Sequence, residues 1–467
     1  MEEQTPANTD EYCEGDSVDV TGANDRPLDD SAPEVETAKN DKAKTENLPG
    51  NWYTDHAQIV YISECNENKT IPSGYFLRNL NKDVLTMRHC VLGPQRIRPI
   101  CISMCNNITI TKLDLTDTWL CDECVPDLVL MFKENTMITD VNLSENQLTS
   151  KCAENLCDVL ASSTQLECID LHGNRFDDTS GTYFADLMAT SLRLAYLNLS
   201  YNNFGEQSVV FFGRALPQAT SITELDLSWN RLGHGNLRIF GKGLSDNKYL
   251  KSLNFAANGL GPSAGCPEFA TALRQNKTLE SLNLSDNRIT AEGAVLLCKG
   301  LHTNTTLKCL RLVRNPMQTA GCYAILNGIL RNSASNIREL DLQDIIVNQD
   351  FRDLQDMARI ILPNMVVRAG KTTTERTRAL SPKFRPPDRS PKEILQIMGR
   401  ITGIKLANFL KPHDTVGDKV VTRQIFTKVL PIYMSKVGID FTEEQVKALM
   451  LELDPNNEEE IDFKDFE

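Results

Sequence analysis

Through the middle of the chain, short runs in which apolar and polar residues alternate give way to stretches with apolar positions three and four apart. Leu225 and Leu227 flank Asp226 in the period-two pattern of a strand, whereas Ala294, Leu297 and Leu301 fall on one face of a helix over Ala291 to Leu301. The unit recurs as the phrase L-x-x-L-x-L-x-x-N-x-L. Its leading residues are Ile110, Ile138, Leu166, Leu194, Ile222, Leu250, Leu279, Leu307 and Ile337, at steps of 28, 28, 28, 28, 28, 29, 28 and 30. A weaker copy, Val84 to Leu92, lies one period earlier and brings the number to ten. One strand and one helix cannot bury both of their faces, but stacked copies can, with the strands joined in a parallel sheet and the helices outside. Helices are about 10 Å wide and strands sit about 4.8 Å apart, so the stack must bend with the sheet on the inner curve.

An asparagine closes each phrase, at Asn146, Asn174, Asn202, Asn230, Asn258, Asn287 and Asn315. The spacing places it in the turn after each strand, where a side-chain amide can bond the backbone of the bend. Cys90 and Thr118 take its place at the start of the array, and Ile345 breaks the column at the end. This 28-to-29-residue phrase resembles the ribonuclease-inhibitor-type leucine-rich repeat over about residues 82 to 345. The lead-in from Tyr53 to Leu80, with Pro72-Ser73-Gly74-Tyr75-Phe76-Leu77-Arg78, is similar to that of the leucine-rich repeat-containing protein 74 group. The resemblance implies an α/β solenoid, a curved parallel sheet inside and helices outside, acting as a non-enzymatic scaffold that binds another protein on its concave face. The Ran GTPase-activating protein uses the same repeat class and supplies an alternative, regulation of a GTPase. Its acidic tail follows its repeats, whereas here the acidic run comes first.

Composition shifts set the domain boundaries. Residues 1–50 hold 14 acids and 4 bases with few large apolar side chains and are expected to be a disordered acidic tail. Residues 51–81 are read as an N-terminal cap and 82–367 as the repeat array. Within the latter, Phe351, Leu354 and Ile361 predict one more helix, and Met365-Val366-Val367 a closing strand. Residues 368–391 carry seven bases, eight with Lys392, against Glu375 and Asp388, with four prolines, and read as a basic linker; Ser381-Pro and Ser390-Pro are candidate phosphorylation sites within it. Residues 392–467 turn helical, with Ile394, Ile397, Ile401 and Ile404 at spacings of three and four, and form a small EF-hand-like module that stops before an exit helix.

The last stretch of that module, Asp454 to Asp465, resembles a calcium loop. Asp454, Asn456, Glu458, Glu460 and Asp462 stand at positions 1, 3, 5, 7 and 9, Ile461 at the apolar position 8, and Asp465 at position 12. It departs from the pattern twice: Glu459 replaces the glycine of the sharp turn, and Asp465 replaces the longer bidentate glutamate. A partner loop is expected near Val420 or Val421, but Thr415, Val416, Gly417 and Lys419 supply no ligand series. A calcium-responsive adaptor is therefore the third functional reading, and calcium the only cofactor considered.

Charge and cysteines change the picture little. Of the formal charge of −14, the first fifty residues hold −10, leaving the rest near neutral with no broad basic surface for nucleic acid. The N-terminus lacks a basic and apolar leader, and no apolar run approaches the roughly 20 residues that span a bilayer. The expectation is a cytoplasmic or nuclear monomer, with its 14 cysteines as reduced, packed thiols. Gly261-Pro-Ser263-Ala-Gly265 matches a nucleophile elbow but lies in a strand-to-helix connection of the repeat, with no histidine and acid at defined spacing. Cys101, Cys105, Cys121 and Cys124 are read as packed thiols, because their positions within two successive repeats do not converge as zinc ligands do.

Alternation fixes what the sheet displays. If Leu225 and Leu227 point inward, Glu224 and Asp226 point out, in a polar column of Asp114, Asn142, Asp170, Asn198, Asp226, Asn254, Asn283, Arg311 and Asp341. Solvation explains such a column but not the aromatic residues beside it. Tyr196, Tyr201 and Trp229, with Asp170, Asn198, Glu224 and Asp226, make the candidate protein-binding site, suited to a partner with a basic patch.

Overall fold

The computed structural model describes residues 56–234, 236–261, 265–373, 390–402, 404–414, 417–437 and 441–466. The acidic tail, most of the basic linker with Ser381, and Ser263 lie outside these residues. Eleven three- or four-residue strands form one parallel sheet in chain order: β1 (Val84–Thr86), β2 (Lys112–Asp114), β3 (Asp140–Asn142), β4 (Cys168–Asp170), β5 (Tyr196–Asn198), β6 (Glu224–Asp226), β7 (Ser252–Asn254), β8 (Ser281–Asn283), β9 (Cys309–Arg311), β10 (Glu339–Leu342) and β11 (Val366–Ala369). Ten copies of the phrase plus a closing strand give this number. Adjacent strands pair in the register of the repeat, Leu197 against Leu225 and Leu225 against Leu253. The central residue of each strand, from Leu85 to Leu340, is buried.

Each strand is followed by a helix, and these pack side by side to cover the inner face of the sheet. The helix expected over Ala291–Leu301 has those bounds, with Ala294, Leu297 and Leu301 buried. The helix after Ile345 spans Gln349–Ile361 and buries Phe351 and Leu354. Phenylalanines fill the wider layers between sheet and helices. Phe176, Phe184, Phe204 and Phe212 meet edge to face at centroid distances of 4.9 to 5.4 Å. Neighbouring helices approach most closely where Gly213 faces Gly243. A Cβ on Gly243 would lie 2.0 Å from the Gly213 carbonyl oxygen, so no larger residue fits without parting the helices.

At the N-terminal end, helices His56–Glu67 and Gly74–Asn79 close the array. Ser73 caps the second through the Phe76 amide, its own amide bonds the Tyr61 hydroxyl, and the Tyr61 and Phe76 rings pack 4.4 Å apart. At the other end the linker begins later than its basic composition implies. Arg368 and Ala369 complete β11, and Thr372 bridges to Val347, because backbone pairing continues past the last apolar residue. Helices Pro391–Thr402, Arg423–Val437 and Glu443–Leu453 and the antiparallel pair β12 (Val420–Thr422) and β13 (Glu460–Asp462) make up the C-terminal lobe.

The asparagine column does what its spacing implies, and more. Asn230 is buried; its Nδ2 donates to Leu227 O and Ser228 O of its own turn and to Leu199 O of the preceding repeat, while its Oδ1 accepts from Phe204 N. Asn146, Asn174, Asn202 and Asn315 repeat the scheme. Thr118, lacking an amide, donates its hydroxyl to Leu115 O and Asn146 Oδ1 and reaches no carbonyl of the preceding repeat among the described residues. A second column, not read from the sequence, precedes the strands. Asn135, Asn247, Asn276 and Asn332 donate to carbonyls one repeat back and, through Oδ1, accept from the amides that lead into the next strand. This column is interrupted at Ser163, Ser191 and Ala219, and the buried Ser163 hydroxyl has no partner.

Two outcomes follow for urea unfolding of the full chain. Asn230→Ala leaves the Phe204 amide without a partner and removes one of the donors to Leu199 O, Leu227 O and Ser228 O, which Asn202, Asn258 and the Tyr201 amide still reach, and lowers stability by about 2 kcal/mol. Ser163 has φ −67° and ψ 125°, close to the −79° and 124° of Asn135 and the −67° and 136° of Asn276. Ser163→Asn therefore raises stability by about 1 kcal/mol by restoring one rung of the column; a lower midpoint contradicts the ladder reading.

Candidate functional site

The outward column of the sheet is polar because its side chains are engaged by the backbone. Asp226 Oδ1 accepts from Ser228 N at 2.9 Å and Ser228 Oγ at 2.6 Å, and its Oδ2 accepts from Asn254 Nδ2 at 2.7 Å. Asp114, Asn142, Asp170, Asn198, Asn254, Asn283 and Asp341 likewise accept from the amide two residues on. Of the candidate site, Asn198 is buried, Asp170, Tyr196 and Asp226 are half-buried, and Glu224 is exposed. Among the described residues Glu224 has no protein partner, so its carboxylate is open to an incoming cation.

Tyr196 stands between these acids. Burial, then the charges of Asp170, Asp226 and Glu224, push its hydroxyl up to about 12, so it remains a neutral donor. On the N-terminal side His172 is held between Asp170, 2.9 Å from Nδ1, and Glu145, 3.2 Å from Nε2. The hydrogen bond to Asp170 raises its pKa, with Glu145 adding to the effect and burial opposing it.

Tyr201 and Trp229 belong to a different column, the residue just before each asparagine. This residue adopts the left-handed region: φ is 54° at Glu145, 51° at Tyr201, 53° at Trp229, 52° at Ala257, 57° at Asp286 and 51° at Arg314, Gly173 adopts 66°, and the same holds at His89 (59°) and Asp117 (50°), which precede the Cys90 and Thr118 that stand in the asparagine's place. Such backbone costs a non-glycine residue roughly 1 kcal/mol and swings its side chain out over the rim of the sheet. Four of these nine members pair with one another. His89 faces Asp117 at 2.9 Å, and Arg314 binds Asp286 through Nε and Nη2 at 2.5 and 2.7 Å and reaches Asp344 at 3.4 Å.

Tyr201 and Trp229 stack instead. Their rings lie 5.0 Å apart and 10° from parallel, close to the strand spacing, so the sheet itself sets the stacking distance. Even so, Tyr201 is 52% exposed and Trp229 47%. Their neighbours in the column are Gly173 and Ala257, too small to cover the outer ring faces; a Cβ on Gly173 would meet the Glu145 carboxylate at 2.6 Å. The sequence places Tyr201 and Trp229 one repeat apart, but gives no sign of the left-handed backbone or of the His172 and Arg314 ion pairs, whose partners lie in adjacent repeats. Trp119, 57% exposed with φ 62°, is a further exposed aromatic that the sequence reading passed over.

The remaining candidates lie elsewhere. Asp454 is buried, and Asn456, Glu458, Glu460, Asp462 and Asp465 are exposed, all in the C-terminal lobe. Among the described residues no three His, Cys, Asp or Glu side chains are grouped so as to hold a metal ion. Cys121 and Cys124 lie 3.9 Å apart as free thiols, and burial pushes Cys124 up to about 12. No described helix is long and apolar enough to cross a membrane.

Similarity to known proteins concentrates in the repeats. The family described as Leucine Rich repeat matches residues 218–234, 275–298 and 303–326. The chain is 36% identical to human NACHT, LRR and PYD domains-containing protein 12 over 95 residues, 20% of this chain and 8% of that protein. It is 35% identical to mouse Ribonuclease inhibitor over 83 residues, 18% of each, and 37% identical to human Leucine-rich repeat-containing protein 74B over 65 residues, 14% of this chain and 17% of that protein. It thus spans less than a fifth of the length of each of these relatives. An internalin from Listeria monocytogenes aligns in structure over 71% of this chain and 92% of its own, at 15% identity and a TM-score of 0.40.

The His172 bridge has a defined pH signature. Its pKa is raised in the folded chain, so the bridge stabilises fully below the ordinary histidine value of 6.5 and is lost as pH rises through the folded-state value. In a histidine NMR titration His172 titrates above 6.5 in the wild type and moves back toward it in Asp170→Asn. An unshifted His172 in the wild type contradicts the bridge.

Proposed function

We propose that this chain, a leucine-rich-repeat protein of the ribonuclease-inhibitor type, is a non-enzymatic scaffold that holds a basic protein against the exposed face of its sheet. The observation that carries this reading is the Tyr201–Trp229 stack, about half exposed, in the same two repeats as Tyr196, Glu224 and Asp226. Two aromatic rings fixed by the backbone bind with little loss of conformational freedom, and their outer faces are left clear by Gly173 and Ala257. Arginine or lysine stacks well on such faces, gaining about 0.5 to 2 kcal/mol per contact. The free carboxylate of Glu224 and the acids around Tyr196 add a Coulomb attraction for the same partner side chains and speed its approach.

The polar column of the sheet supports a rigid display and contributes less directly. Asp226 and Asp170 already accept backbone hydrogen bonds, so they act on a partner mainly through charge, whereas Glu224 is free to form a direct ion pair. The same arrangement disfavours nucleic acid, whose phosphates these acids repel. The partner is a folded protein with an exposed basic patch, met one to one within the cytoplasm or nucleus.

Combining Tyr201→Ala with Trp229→Ala removes the stack without touching the asparagine column. The circular dichroism spectrum stays native, while affinity for the partner recovered by wild-type chain falls at least about a hundredfold, as for loss of a central aromatic anchor. Glu224→Gln weakens binding less, and mainly at low salt. Undiminished capture by the double variant overturns this assignment.

A further inference from the structure

The C-terminal lobe contains the second loop that the sequence leads one to expect near Val420 or Val421. Counting twelve residues from Asp454 puts Ile461 at position 8; counting twelve from Asp414 puts Val421 there, and these two residues pair in the antiparallel strands β12 and β13. The pairing is symmetric about them: Val420 at position 7 faces Asp462 at position 9, and Thr422 at position 9 faces Glu460 at position 7. The hydrogen bonds share the symmetry. Arg423 N donates to Glu459 O at 2.9 Å, and Phe463 N to Lys419 O at 3.0 Å, each from position 10 of one loop to position 6 of the other.

The backbone repeats as well. Position 4 has φ 84° at Gly417 and 57° at Asn457; position 6 has φ 64° at Lys419 and 62° at Glu459. Position 6 is where a calcium loop places its glycine, so both loops keep the sharp turn without the residue that makes it inexpensive. In each, the aspartate at position 1 turns back onto the loop. Asp414 accepts from Gly417 N and Lys419 N at 2.7 and 3.0 Å, and Asp454 from Glu458 N and Glu459 N at 2.8 and 3.1 Å.

The donor set does not fit calcium. The first loop carries Val416 and Ile425 at positions 3 and 12, which offer no side-chain oxygen. In the second, the carboxylates are met by cations of this chain. Arg423 Nη1 lies 3.7 Å from Asp454 Oδ2 and 2.8 Å from Asn457 Oδ1. Lys464 Nζ lies 2.9 Å from Asp462 Oδ2, and Lys392 Nζ from helix Pro391–Thr402 lies 2.7 Å from Asp465 Oδ2. The position-12 carboxylate, which would grip an ion with both oxygens, is thus turned to the first helix of the lobe.

We infer that the lobe is a paired-loop, EF-hand-like module that has dispensed with calcium, the guanidinium of Arg423 and the ammonium groups of Lys392 and Lys464 neutralising the carboxylates an ion would bind. It is a permanently assembled element, and whatever the repeats bind is held independently of calcium. Arg423 is the residue on which this depends most, because Asp454 is buried and its charge needs a partner.

Two measurements on the full chain test this. Isothermal titration with calcium chloride up to about 1 mM, the weak limit for such loops, gives no saturable heat; a saturable isotherm overturns the inference. Hydrogen exchange of residues 454–466 is then compared in wild type, Arg423→Gln and Arg423→Lys. Exchange quickens at least about tenfold in Arg423→Gln, the local cost of leaving a buried carboxylate unpaired, and Arg423→Lys, which keeps the charge, retains most of the protection. Equal exchange in the wild type and Arg423→Gln, or equal loss in both variants, overturns the role given to the guanidinium charge.

Discussion

A buried asparagine amide at the end of each strand governs the architecture. A strand of three residues that turns at once into a loop leaves backbone carbonyls and amides pointing into an apolar interior, where each unpaired group costs about 1 to 3 kcal/mol. The side chain of Asn230 satisfies three carbonyls and one amide from two successive repeats. It therefore works along the solenoid as well as within its own turn. Because such links join only neighbours, the array is a chain of nearest-neighbour interfaces, and its ends need different residues. Thr118 and the Tyr61–Phe76 packing serve at one end, Ile345 and β11 at the other.

The same turn creates the display surface. The residue before each asparagine, and before the Cys90, Thr118 and Ile345 that stand in its place, has left-handed backbone, and its side chain is thrown outward at intervals equal to the strand spacing. What occupies the column then decides its behaviour. Opposite charges such as Asp286 and Arg314 close on each other and are spent, while Tyr201 and Trp229 stack and remain open. The sheet column beside them is similarly divided, between side chains engaged in capping their own turns and the free carboxylate of Glu224. Potential for recognition lies in what these internal pairings leave over.

The C-terminal lobe follows a different logic. Its two loops are related by a local symmetry about Val421 and Ile461 and are held by few residues, so each charge matters more than in the array. Its acids look like ligands when counted along the chain, yet the cations that meet them come from three separate places, Lys392, Arg423 and Lys464. Only Lys464 is adjacent to the loop in a way a motif could capture.

By itself the sequence determined the repeat, its period, the strand and helix of each copy, the closing helix and the role of the first asparagine column, because all of these are local or recur at a fixed step. It also brought Tyr201 and Trp229 into register, since residues 28 apart must lie side by side in a stack with that period. The tertiary structure alone decided that the residue before each asparagine is left-handed, that Asn198 is buried while Glu224 is open, that His172 joins acids from two repeats, and that Asn135 and its equivalents form a second ladder. It alone decided how the two C-terminal loops pair, the sequence having placed the first near Val420 or Val421 without a ligand series to define it. The reason is common to these cases: each depends on which groups of neighbouring repeats or separate helices meet and satisfy one another, and that pairing is settled by packing in three dimensions, to which the order of residues is only indirectly related.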